Sequence, residues 1–196
     1  MRTFLLLNLL IILSNFSLCA QKNDKKGERK DYIINLSRDT IWGKISGNLT
    51  PATASLKIVF TDDLTKTKKV YKPRQIKAWR HGNLQYTYES KEYRPKGMRK
   101  EDLGYAVFMK CYTPYEGTVR HYVYYNTDGE DGYYQTFLER SDVMVEVVYE
   151  KFYSQLAEYF IDYPELCEKL KAKKYKKSQL TEIVDEYNKV KDKDDW

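Results

Sequence analysis

Three runs rich in β-branched and aromatic residues lie between Gly104 and Glu139: Tyr105–Tyr112, Val119–Asn126 and Tyr133–Leu138. Two groups of turn-forming residues separate them, Thr113-Pro114-Tyr115-Glu116-Gly117 and Thr127-Asp128-Gly129-Glu130-Asp131-Gly132. Short apolar runs bounded in this way predict an antiparallel meander. Upstream, Asp31–Leu36 and Thr40–Ile45 predict a hairpin turning at Ser37-Arg38-Asp39. Alternation at Leu56, Ile58 and Phe60 predicts a half-buried third strand, and Val70-Tyr71 a fourth. Pro73 to Ile76 reads as a turn that sends Ile76 and Trp79 into the core. Leu84–Ser90 reads as a further strand, Arg94–Asp102 as an exposed connection, and Met144 to Val148 as a last strand.

From about Tyr149 the period becomes helical, with Phe152, Leu156 and Phe160 on one face. Asp162-Tyr163-Pro164-Glu165 predicts a helix restart, with Asp162 as the cap and Pro164 in the first turn. Ser178 is the expected cap of a final helix whose Leu180, Ile183, Val184 and Tyr187 share a face. Strands first and helices last predict an α+β domain. Its sheet is expected to be a curved antiparallel sheet or open barrel of about seven to nine strands, followed by C-terminal helices. Residues 31–148 would form the β core and 149–192 the helices packed on it.

The first residues change the picture of where the chain goes. Arg2 is followed by the apolar run Phe4–Leu13 and by a Cys19-Ala20-Gln21 exit. That run is about half the roughly twenty residues a membrane helix needs. Residues 1–20 are therefore expected to be a signal peptide cleaved near Ala20, with export to the periplasm or cell surface. Leu18 is too bulky for the usual residue before a lipidated Cys19. Residues 21–30, QKNDKKGERK, lack apolar anchors and read as a disordered charged leader. A formal net charge of +6, one lower without Arg2, is modest and spread along the chain. With export, it gives no reason to expect nucleic acid as a partner.

Asp31–Ile45 (DYIINLSRDTIWGKI), Tyr71-Lys72-Pro73 with Ile76, and Glu116-Gly117-Thr118-Val119 resemble segments of a group of small exported proteins from Bacteroidota. Two more follow in the same order, Tyr159 to Leu166 and Ile183 to Asn188. Arg38 stands where that group more often has Gly in the first turn. The resemblance implies a cell-envelope address and a shared fold, and it transfers no functional residue.

Candidate chemistry is sparse. His81 and His121 are the two histidines, and Cys111 and Cys167 the cysteines beyond residue 20. No pair has zinc-ligand spacing, so neither a metal nor a cofactor is expected. Cys111 and Cys167 could pair if their Cα atoms came within about 7 Å. Cys111 and His121 flank one turn. With Tyr115 and Glu116 at its centre, Lys110 faces His121 and Cys111 faces Arg120, which puts the thiol and imidazole on opposite faces. Gly43 to Gly47 does not match a nucleophile elbow, and the acidic loop Asp128 to Gly132 fails the calcium-loop spacing. The basic run Lys169–Lys177 could touch an anionic surface, though a solvated helix end explains it as well.

Tyrosine is the compositional excess, with 19 in the chain. Tyr122 and Tyr124 share a strand face, and His121, Val123 and Tyr125 the other; Tyr133 lies with Phe137 on the next strand. If helices cover one face, Tyr122, Tyr124 and Tyr133 become candidate binding residues of an exposed aromatic face. The expected function is a non-enzymatic binding domain of the cell envelope, with an envelope protein or polysaccharide as partner. The alternative is a small hydrolase acting on envelope polysaccharide or peptide.

Overall fold

Asp31–Ile34 (β1) and Thr40–Ser46 (β2) form the expected hairpin in the computed structural model, which describes residues 30–82, 84–94, 104–113, 117–127 and 132–194. Its turn puts Arg38 at φ 71°, a left-handed conformation that glycine adopts without strain. Asn35 compensates, its Oδ1 accepting from Asp39 N at 2.9 Å and its Nδ2 donating to Asp39 Oδ2 at 2.9 Å.

The next element corrects the expected pattern. Leu56 is not in a strand; it ends a short helix, Pro51–Leu56 (α1). Pro51 occupies the first turn, and the Thr50 hydroxyl accepts from Thr53 N at 3.3 Å. This helix buries Ala54 and Ser55, Ala54 in the core with Ile45, Ile58, Phe60 and Phe108. The third strand starts only at Ile58–Asp62 (β3), and Lys68–Tyr71 (β4) pairs with it.

Residues 72–77 then carry the chain back across the hairpin. Ala78–Arg80 (β5), a strand the sequence pattern did not reveal, pairs with β1 on the side away from β2. Thr87–Tyr93 (β6), Tyr105–Cys111 (β7), Arg120–Asn126 (β8), Tyr133–Arg140 (β9) and Val143–Glu146 (β10) continue as the meander. The result is one ten-stranded antiparallel sheet in the order β10-β9-β8-β7-β6-β5-β1-β2-β3-β4. The sheet is open, since β10 and β4 are its two edges, and it has more strands than expected.

Because side chains alternate, each strand serves two faces. On one face of the first half, Ile33, Ile45, Ile58, Phe60, Ile76 and Trp79 form a core. Trp79 stacks on Tyr88 with ring centroids 4.0 Å apart. On the same face of β8 and β9, three helices supply a second core: Phe152–Tyr159 (α2), Pro164–Lys171 (α3) and Leu180–Asp194 (α4). Phe152, Leu156, Phe160, Leu180, Ile183, Val184 and Tyr187 are buried as their spacing predicts. Asn188 ties α4 to the sheet, donating to Val119 O and accepting from Val119 N, each at 2.8 Å.

Two caps differ from expectation. Asp162 does not cap α3, whose cap position is Tyr163; Asp162 instead accepts from the Tyr187 hydroxyl at 2.6 Å and pairs with Arg140 and Lys191. Ser178 lies inside a 3₁₀ turn, Lys177–Gln179, that precedes α4. Among the described residues no helix is long and apolar enough to cross a membrane.

Gly43 shows how tightly the hairpin closes on β3. A Cβ there would sit 2.2 Å from Thr61 O and 2.4 Å from Phe60 Cζ. Gly43→Ala is expected to cost about 1–3 kcal/mol of unfolding free energy, read from urea titration; an unchanged midpoint would mean the two strands are not packed this closely.

Candidate functional site

The second face of the sheet, from β6 to β10, carries no helix among the described residues and is still largely buried. Glu89, Lys91 and Tyr93 project from β6, and Val107, Met109 and Cys111 from β7. Arg120, Tyr122, Tyr124 and Asn126 follow on β8, and Gln135, Phe137 and Glu139 on β9. Strands β6 and β9 are three steps apart, about 14 Å in a flat sheet. Yet Lys91 Nζ reaches both oxygens of Glu139 at 2.8 and 2.6 Å, and the Tyr93 hydroxyl donates to Gln135 Oε1 at 2.6 Å. Contacts across that span require this face to be concave.

A polar network fills the concavity. Glu89 holds the Arg120 guanidinium through one oxygen and accepts from the Tyr122 hydroxyl at 2.9 Å through the other. Lys91 Nζ lies 4.6 Å from the Tyr122 ring centroid, and the Arg120 guanidinium carbon 5.5 Å from it. Asn126 donates to the Tyr93 hydroxyl at 3.2 Å and to Gln135 at 3.1 Å, and Gln135 donates to Glu146 at 3.0 Å. Burial pushes Tyr93 up to about 12, so its hydroxyl stays protonated and donates. Tyr122 is raised as well, by burial first and then by the Glu89 charge.

Two cavities open along this face, of about 320 and 340 Å³, and both are lined by Ala78 and Glu89. The larger runs between Lys91, Arg120 and Glu139. The smaller extends over β5 toward β1, lined by Tyr32, Ile34, Arg80, Thr87 and Cys111 among others. These two cavities are the candidate site.

The expected binding residues are placed unequally. Tyr122 and Tyr124 do share a face, but they are 0 % and 3 % exposed, whereas Tyr133 is 50 % exposed. Tyr122 and Tyr124 are therefore not a surface platform. They form the floor beneath Lys91, Arg120 and Tyr93, because the sheet curls toward their side rather than away from it. Tyr133 donates nothing to that floor; its hydroxyl receives a hydrogen bond from Asn126 at 3.1 Å.

Cys111 pairs in register with Tyr122, two residues from the expected partner. A shift of two preserves parity, so Cys111 and His121 lie on opposite faces as predicted. Arg120 donates to Cys111 Sγ at 3.1 Å, but burial, with Glu89 nearby, holds the thiol above its ordinary range. Cys111 and Cys167 are both free, buried thiols, Cys167 donating to Ala157 O and Phe160 O. Among the described residues no group of three His, Cys, Asp or Glu side chains is placed to hold a metal ion. Half of the lysines in the basic run are engaged locally: Lys169 pairs with Glu165 and Glu186, Lys171 with Glu168, and Lys177 donates to Tyr149 O. Residues 1–29, with Cys19, and the loop residues 114–116 and 128–131 lie outside the described residues.

Sequence reasoning missed Glu89, Lys91, Arg120 and Glu139, the paired charges among those that line the larger cavity, and Arg80 in the smaller. Their strands were foreseen or flanked, yet pairs separated by 31 and 48 positions leave no local signal. No protein-family model, no curated protein and no solved structure matches the chain.

On the opposite face, His121 is buried under α4, its Nδ1 3.0 Å from the Thr181 hydroxyl and its ring stacked on Tyr112. Its Nε2 is buried without a partner among the described residues, and burial pushes the imidazole down to about 4. The folded pKa lies below the unfolded value, so the unfolded chain takes the proton first. This contribution to stability is complete above about pH 6.5 and is lost as pH falls toward about 4. Between about pH 7 and pH 5 the loss should be about 2 kcal/mol, measured by urea unfolding. His121→Gln should flatten stability across that window, and an unaltered slope would show that another group sets it.

Proposed function

We propose that the protein is an exported, non-enzymatic binding domain of the cell envelope that takes its partner on the concave face of the sheet. The N-terminal pattern of residues 1–20 supports the address. The observation that carries the binding reading is the pairing of the acids along the larger cavity. Glu89 is occupied by Arg120 and Tyr122, and Glu139 by Lys91 through both oxygens. A cleft whose walls are fixed by such pairs is preformed, which lowers the cost of ordering on binding.

The hydrolase alternative draws on the same two carboxylates, because Glu89 and Glu139 line one cavity. A glycosidase of that kind needs one of them free to protonate a leaving group and the other free to attack or to activate water. Here each already accepts from a cation, and Glu89 also from a hydroxyl. Cys111 is buried with its thiol pushed up, which does not suit a nucleophile.

Migration of the full chain through native gels cast with envelope polysaccharide separates the two readings. Binding predicts retardation while the polysaccharide keeps its length distribution over prolonged incubation. Shortening of the polymer, abolished by Glu139→Gln, would replace the binding reading with the hydrolase.

A further inference from the structure

Arg80 stands apart from the other arginines that line or brace the sheet. Arg74 holds Glu92, Arg120 holds Glu89 and Arg140 holds Asp162. Arg80 forms no ion pair with a described residue, and its Nε is buried without a hydrogen-bond partner. It is half-buried and lines the 320 Å³ cavity. Glu89 lines the same cavity, but its oxygens are taken by Arg120 and the Tyr122 hydroxyl. A guanidinium at the cavity wall that no described carboxylate pairs is an unmet demand for a planar anion, and a carboxylate meets it with two parallel hydrogen bonds.

The register supplies the rest of the site. Tyr32 of β1 is the direct partner of Arg80 on one side and of Trp42 on the other. All three side chains therefore project from the same face in a row across β5, β1 and β2. Trp42 is 50 % exposed, and its ring meets Tyr32 edge-on with centroids 5.5 Å apart. Thr87, on the other flank of the cavity, offers a hydroxyl. Aromatic rings and hydroxyls beside a guanidinium without an ion pair, in a cavity whose one carboxylate, Glu89, is already held by Arg120, match a ring-shaped ligand with apolar C–H faces, hydroxyls and one carboxylate.

We propose that this cavity binds a hexuronate residue of an acidic polysaccharide, with Arg80 on its carboxylate, the Tyr32 ring against its pyranose, and Trp42, one strand beyond the cavity, against the sugar chain that continues from it. The assignment rests on the binding reading above and adds the ligand class. No bond is made or broken; selectivity comes from charge, since an unpaired guanidinium loses its charge-assisted contacts when the carboxylate is masked.

Calorimetric titration of the full chain with tetragalacturonate, with its methyl ester and with a short glutamate-rich peptide tests the assignment. The acid form should bind about tenfold or more tightly than the ester. Arg80→Gln should remove that difference while leaving the weak affinity for the ester, and Arg80→Lys should keep part of it. Trp42→Ala should weaken both sugars alike. Unfolding curves of each variant guard against a folding defect. Equal affinity for acid and ester, or a preference that survives Arg80→Gln, overturns the inference while leaving a sugar-binding domain. Tight binding of the peptide in place of the sugar overturns the sugar class. Binding of none of the three overturns the inference outright, and the gel retardation above then decides the broader reading separately.

Discussion

Glu89 joins two strands that do not touch. It stands on β6, and its carboxylate receives Arg120 and the Tyr122 hydroxyl from β8, over the top of β7. Its side chain and that of Arg120 are 8 % and 12 % exposed, so the pair sits in a medium where an unpartnered charge is costly. Satisfying both charges draws the second half of the sheet into a trough. Lys91 with Glu139 repeats the device one strand further out, from β6 to β9. The curl then does what a covering layer of helices does elsewhere, since it takes Val107, Met109 and Phe137 out of water. Shape, burial and cavity all follow from charges that must find each other.

The tyrosine excess makes sense in that setting. A tyrosine in a trough can pack its ring among apolar neighbours and extend its hydroxyl into the polar layer above. Tyr122 does both, packing in the Met109 and Phe137 cluster and donating to Glu89. Tyr93 does the same toward Gln135 while its ring meets Tyr124 and Phe137. The same residue type that reads as a candidate binding surface is thus used here to seal a polar interior. Besides Tyr133, a part of this face open to solvent lies at its other end, where Trp42, Tyr32 and Arg80 follow one another across three strands.

Local periodicity carried most of the strand order, the C-terminal helices and the parity of the meander strands. The separation of Cys111 from His121 survived a two-residue change of register because the side-chain period is two. The buried stripe Phe152, Leu156 and Phe160 was equally legible. Helix α1 was not, because six residues span less than two turns; only Thr50-Pro51 announced it. Strand β5 has three residues and exists through its pairing with β1, more than 40 positions away in sequence, so Arg80 could not be set beside Tyr32 in advance. The direction of curl was out of reach for the same reason. It depends on which distant charges meet, and alternation says only that a face exists, not whether it is concave.

A double-mutant cycle on Glu89 and Arg120 tests the dependence of the trough on that pair most directly. Glu89→Gln and Arg120→Met, each alone, should lower unfolding free energy by about 3–5 kcal/mol, because each leaves a buried charge or acceptor unmatched. The double variant should lose far less than their combined effect, giving a coupling above about 2 kcal/mol. Losses that add to within about 0.5 kcal/mol would show that the two side chains act independently and that something else curls the sheet.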